Sequence, residues 1–506
     1  MADKSPVFQR RTAGVLLHPT SLPCSESCWG KNTEKAFGTL GKDAYYFIDL
    51  IAQAGLTIWQ MLPTGPTQAD MSPYQSISAH AGNPNLISLD WLVEKGWVKA
   101  SNVQLTGDKS LTDAREQCAL SFYQYLASDL GNETRQQFEI FCSQQHYWLD
   151  DFALFCALRS AFGGQSWINW PIELRSRDVT ALQKSREQLK SKIDLVLFEQ
   201  FSFFGQWQAL KNYANQKGIY LFGDMPIFVG HDSADVWSQQ HYFQLDDQGN
   251  PLTVAGVPPD YFSETGQHWG NPHYAWSVME ADGFQWWLAR LKTQLQMFDL
   301  IRIDHFRGFE AYWEIPGNSH DARLGKWVKA PGEAFLKACF DAYPGLPLVA
   351  ENLGVITDEV EALRNQFELP GMLVLQFAFD GNTNNPHLPH NHSRSDVIYT
   401  GTHDNDTTTG WYSTLPEEHR RQVKEYCFNS TDDQPWLLIE TALASVGRMA
   451  IIPMQDFLEL DGGHRMNMPG TTDKNWVWKF SWSQVEPTLA DRIRQLLKTY
   501  HRLDEH

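Results

Sequence analysis

Residues 300–313, LIRIDHFRGFEAYW, join an apolar, strand-like run to a packet of charge. Leu300, Ile301 and Ile303 read as a short buried strand, and Arg302 and Asp304, two residues apart, leave it on the same face. A carboxylate at a strand tip with a cation beside it stays ionised, because the neighbouring charge favours the anion. Asp304 is therefore either a nucleophile or the acid half of an ordinary strand-end ion pair. The choice falls to the other carboxylates.

Working outward, short apolar runs that end in polar or Pro residues recur at 14–17, 57–62, 219–222, 300–303, 346–350, 372–377, 397–399 and 449–453. A ninth run at 311–315 follows the fourth too closely for a parallel crossover and reads as an excursion at the strand end. Helical patterns at 41–54, 282–298, 332–342 and 358–367 lie between the runs. Strand alternating with helix predicts an α/β fold, a (β/α)8 TIM barrel with its chemistry on the loops after the strand C-termini. An open doubly wound sheet is the weaker reading, since no Gly-rich phosphate fingerprint follows the first run.

The chain is expected to form a single catalytic barrel over 1–506 with two large insertions. One, at 91–218, is mainly helical, with aromatic faces in SFYQYLASDL, DFALFCALRSAF and FSFFGQW. The other, at 228–279, is rich in Gly, Pro and aromatics and reads as a loop subdomain over the active site.

A net charge of -19 without a long basic run excludes nucleic acid and anionic membrane surfaces as main partners. No apolar stretch has the length of a membrane span and the N-terminus has no signal-like core, so a cytoplasmic location is expected. The seven cysteines are scattered and read as reduced thiols. Cys24 and Cys28 lack a second pair at zinc spacing, so no metal is expected. Several of the 20 Trp, 17 Tyr and 29 Phe lie in Gly/Pro-rich loops, where flat amphipathic rings suit sugar faces.

Three strand ends carry acids: Asp304 in RIDHFRG, Glu351 in VAENLG and Asp404 in GTHDNDT. Acetal cleavage needs one carboxylic acid to protonate the leaving oxygen and one carboxylate to meet the developing oxocarbenium carbon. Glu351 follows a wholly apolar LPLVA run that would raise its pKa, whereas Asp304 has Arg302 to keep it charged. A divalent-metal hydrolase using the same acids with His305 and His403 is the competing chemistry. Arg302 and Arg307, which compete with a cation, weigh against it.

The motifs SPYQSISAHAGNPNLISLD (72–90), GDMPIFVGHDSADVW (223–237), AGVPPDYFSETGQHWGNP (255–272), LIRIDHFRGFEAYWEIP (300–316), VAENLG (349–354), GTHDNDTTTGW (401–411) and MNMPGTTDKNWVW (466–478) cover nearly the whole chain. In these the sequence resembles the 4-α-glucanotransferases, the amylomaltase or disproportionating-enzyme group related to the α-amylases. The resemblance implies that Asp304 is the nucleophile, Glu351 the acid/base and Asp404 the transition-state stabiliser. It implies further that Arg302 holds Asp304 ionised, that Tyr74, Asp224, His403 and Asn475 contact the reacting sugar, and that Asp260 and Trp269 overhang the cleft. There are departures. Residues 68–71 replace a Gly-Tyr-Gly-Asp turn, His80 stands where an aromatic is usual, and Asn352 replaces an Asp, which would lower the Glu351 pKa somewhat.

The implied activity is transfer of α-1,4-glucan segments between maltooligosaccharides, or starch and glycogen fragments, and glucose, with no cofactor. An amylase-type hydrolase shares all three acids. A non-catalytic glucan-binding protein is the more distant alternative.

Overall fold

The computed structural model describes residues 6–27, 36–105, 110–259, 263–427, 434–471 and 473–503. Twelve strands form among them: β1 (Thr12–Leu16), β2 (Ile58–Gln60), β3 (Tyr220–Pro226), β4 (Thr253–Val257), β5 (Gln267–Pro272), β6 (Leu300–Asp304), β7 (Ala311–Pro316), β8 (Lys326–Lys329), β9 (Leu348–Ala350), β10 (Met372–Val374), β11 (Val397–Tyr399) and β12 (Met449–Pro453). Eight of them make one parallel sheet in the order β10-β11-β12-β1-β2-β3-β6-β9. These are the eight runs read from the sequence, each strand overlapping its run, and the sheet is the expected (β/α)8 barrel.

The barrel closes between β9 and β10 by a different device from its other seams. Ala350 N–H donates to Pro370 O at 2.8 Å, and one residue past Asn352's neighbour Glu351 the chain is tied again: the Asn352 side-chain carbonyl takes the Met372 N–H at 2.8 Å. Side-chain chemistry thus completes a ladder that the two short strands leave unfinished. Elsewhere the strands approach closely; a Cβ at Gly14 on β1 would stand 2.4 Å from Ile58 Cβ on β2. Inside the barrel, below the C-terminal rim, Tyr399 donates to Gln60 Oε1 at 2.8 Å, and both residues are buried.

Crossover helices cover the outside. Lys42–Ala54 turns Ala44, Phe47, Ile48, Ile51 and Ala54 inward at helical spacing and stops at Gly55, whose left-handed φ of 82° lets its N–H reach back to the last carbonyls. Between β2 and β3 the chain is helical, built round the 30-residue Asn132–Ala161 and the 27-residue Lys190–Gln216. Aromatic pairs such as Phe141–Phe201 and Trp148–Phe204 join them.

The excursion at 311–315 is β7. It belongs to a second, antiparallel sheet in the order β5-β4-β7-β8, in which β4 and β5 come from 228–279. This sheet stands beside the C-terminal end of β6 and carries Trp269 towards it. Among the described residues no helix is long and apolar enough to cross a membrane. The six described cysteines, Cys24, Cys118, Cys142, Cys156, Cys339 and Cys427, are all free thiols.

Candidate active site

Strand β6 sets the site. Arg302 and Asp304 do leave it on one face: Arg302 Nη2 donates to Asp304 Oδ1 at 2.9 Å, while Nη1 donates to Asp224 Oδ2 on neighbouring β3 at 2.6 Å. The third donor, Nε, rests on Met372 Sδ at 3.3 Å. A buried guanidinium between two carboxylates is permanently charged, and those anions hold its pKa well above the ordinary arginine value against the desolvation of burial.

On the other side of β6, β9 delivers Glu351. The strands pair Ile303 with Ala350, so Asp304 and Glu351 are the next residue out on each. Adjacent strands lie about 4.8 Å apart. Glu351 is then fixed by two backbone donors, His305 N–H to Oε2 and Leu353 N–H to Oε1, both at 2.7 Å. His305 presents its N–H from a left-handed conformation with φ of 53°, a local strain at the tip of the strand.

The electrostatic contrast expected between these acids is blunter than the sequence suggested. Burial raises the pKa of both carboxyls, and Arg302 opposes it at both. The direct contact of Arg302 with Asp304 favours the anion on that side. The Asn352 amide accepts from Met372 N–H and donates to Glu361 Oε1, both at 2.8 Å.

Tyr74 links this cluster to the third acid. Its hydroxyl donates to Asp224 Oδ2 at 2.7 Å and meets His403 Nε2 at 2.9 Å. The hydroxyl's proton is spent on the carboxylate, so it accepts from the imidazole. His403 Nε2 also stands 3.3 Å from Asp404 Oδ2. Burial works against charge on His403, but Asp404 outweighs it and raises the pKa. Desolvation likewise acts upward on Asp404, yet His403, the amide of Asn467 and Arg302 bring it down to about 2. One hydrogen-bonded chain therefore runs from Asp304 through Arg302, Asp224, Tyr74 and His403 to Asp404.

The remaining expected residues fall differently. Trp269 on β5 meets the His305 ring edge-to-face at 4.9 Å, above the end of β6. Asp260, with Tyr261 and Phe262, lies outside the described residues. Asn475 is turned into its own loop, where Oδ1 accepts Met468 N–H at 3.0 Å and Nδ2 donates to Thr471 O at 2.8 Å. The residue of this loop that does reach the site is Asn467, whose Nδ2 donates to Asp404 Oδ1 at 2.6 Å. Sequence reasoning passed over it, since a contact between residues 63 apart leaves no local signal.

The family model described as 4-alpha-glucanotransferase matches residues 17–484. A 4-alpha-glucanotransferase of Thermus thermophilus is 46% identical over 97% of this chain and 99% of its own length. One from Synechocystis is 43% identical over 99% of this chain and all of its own. Among solved structures, an amylomaltase from Streptococcus agalactiae in complex with acarbose superposes with a TM-score of 0.91 at 34% identity, covering 98% of this chain and 100% of that one. Matched in sequence from end to end and in fold around the same barrel, this chain belongs to the 4-alpha-glucanotransferase family.

Proposed function

We propose that this enzyme transfers α-1,4-glucan segments from a donor maltooligosaccharide to the 4-hydroxyl of glucose or another maltooligosaccharide, by a retaining double displacement. The observation that carries this is the placing of Asp304 and Glu351 one residue beyond paired positions of adjacent strands, with Arg302 at hydrogen-bond distance from Asp304. Retaining glycosidases hold their two carboxyls about 5–5.5 Å apart, close to the spacing of neighbouring strands.

In the first step an Asp304 oxygen bonds to the anomeric carbon as Glu351 gives its proton to the departing glycosidic oxygen. A β-glycosyl ester and a shortened glucan result. In the second, Glu351 takes the proton of the acceptor 4-hydroxyl, whose oxygen attacks the same carbon and expels Asp304. Asp404, kept anionic, faces the positive charge that develops on the ring in both steps. Tyr74, Asp224 and His403 fix the sugar and the acids around it. Trp269 shields the ester from water while an acceptor binds. A cytoplasmic setting, with maltodextrins from starch or glycogen as substrates, agrees with the free cysteines.

Incubation of the purified enzyme with maltotriose tests the assignment. Glucose together with a ladder of longer maltodextrins is expected; maltose and glucose alone would make it an amylase-type hydrolase. Asp304→Ala is expected to abolish turnover while glucan binding persists, and residual wild-type turnover would remove Asp304 from its role.

A further inference from the structure

We infer that Asn467 is a positioning residue for the reaction, holding the Asp404 carboxylate at the angle from which it meets the developing charge; this rests on the transfer reading above. Asp404 sits on the loop after β11 and its side chain is 48% exposed to the cleft, far more than its 8% exposed neighbour His403. A carboxylate so open has rotational freedom unless something outside its own loop restrains it. His403 Nε2, already shared with Tyr74, approaches only one oxygen, Oδ2, at 3.3 Å. The short contact on the other oxygen is the Asn467 amide at 2.6 Å. Because an ionised carboxylate offers only acceptors, the amide has to present Nδ2 there.

The segment bearing Asn467 is built to deliver it. Arg465, two residues earlier, donates from Nη2 to the main-chain carbonyl of Asp404 at 2.8 Å and from Nε to the Asn467 carbonyl at 3.2 Å. The same strap thus grips both the backbone and the side chain of Asp404. Behind it, Trp476 N–H donates to Met466 O at 2.8 Å and Asn475 caps the Met468 N–H at 3.0 Å. Lys474 and Trp476 adopt φ of 63° and 66°, conformations that side-chain-bearing residues rarely take. Asn475 braces this strap, and Asn467 is the group the strap applies to the site.

Two variants, compared with wild type across pH on maltotriose, test this. Asn467→Ala removes the donor and is expected to lower kcat about ten- to a hundredfold, the rate equivalent of one charge-assisted hydrogen bond, with KM within about twofold. Asn467→Asp keeps the shape and carries the sharper signature. At acidic pH its protonated carboxyl donates to Asp404 as the amide did. As pH rises the shared proton is lost and two carboxylates face each other. The ratio of variant to wild-type kcat is therefore expected to climb as pH falls. A ratio flat in pH, wild-type kcat in Asn467→Ala, or equal losses in kcat and affinity alongside a lowered melting temperature would each overturn the positioning role. Failure of wild-type enzyme to form longer maltodextrins would instead count against the transfer reading itself.

Discussion

At the scale of single residues, burial prevails over the donors at Asp304 and Glu351, whereas the donors prevail at Asp404. Arg302 spends its three kinds of nitrogen on Asp224, Asp304 and Met372, and Glu351 takes both of its donors from main-chain N–H groups. His80 shows a different use of a titratable group. It is buried, stacked on Trp148, hydrogen-bonded through Nδ1 to Thr293 Oγ1 at 2.8 Å, and 3.9 Å from Asp235. Burial, with Arg290 nearby, brings its pKa down to about 3, so it is neutral in the folded protein. Its folded pKa lies below the unfolded value of 6.5, so its contribution is complete above pH 6.5 and is lost as pH falls towards 3. His80→Phe is expected to flatten the loss of stability between pH 6.5 and 4 by up to about 3 kcal/mol relative to wild type. Urea unfolding at several pH values checks this; parallel pH dependences for variant and wild type would refute it.

At the scale of elements, the two rims of the barrel are closed by unlike means. The C-terminal rim is occupied by the site and by the Asn352 tie between β9 and β10. The N-terminal rim is held by Arg502, just beyond the helix Leu489–Thr499. Its guanidinium is buried and gives all five of its hydrogen bonds to main-chain carbonyls: Thr12 and Leu443 at 2.7 Å, Gly447 at 2.9 Å, and Ser445 and Arg448 at 3.0 Å. The last residues of the chain are thereby stitched to the starts of β1 and β12. Arg502→Met would take a donor from each of those carbonyls, although Arg11 still serves Leu443 and Ser445 and the Thr12 N–H still serves Arg448, and is expected to cost about 2 kcal/mol, read as a lower urea midpoint. Since the chemistry lies at the opposite rim, kcat per folded molecule should stay at the wild-type value. The small sheet is an element of another kind, made by β7, which directly follows the β6 tip, pairing with β4 some sixty residues earlier. It brings Trp269 over His305, and Trp269→Ala is expected to raise the share of glycosyl-enzyme lost to water, measured as reducing ends released relative to chains elongated.

At the scale of the whole molecule, the barrel was legible because its eight strands are continuous apolar runs, buried on both sides and punctuated by polar or Pro residues. The second sheet was not. Its strands are mixed in character, β4 and β5 lie in a segment that reads as loop, and the β4–β7 pairing that joins its two hairpins spans distant parts of the chain. The acids followed the same division. Asp304 and Glu351 could be found because each ends an apolar run, Asp404 because it lies just beyond one, and Arg302 could be assigned to Asp304 because alternation along a strand is a local rule. The sequence by itself therefore determined the parallel barrel, the three acids at its mouth and the Arg302–Asp304 contact, all of which rest on spacing within a few residues. Only the tertiary structure decided that burial acts on Asp304 and Glu351 alike, that Asn352 serves the barrel seam, and that Asn467 reaches Asp404. Each of those depends on which groups meet across long separations of chain, where desolvation and hydrogen-bond partners are set by packing and leave no periodic trace in the sequence.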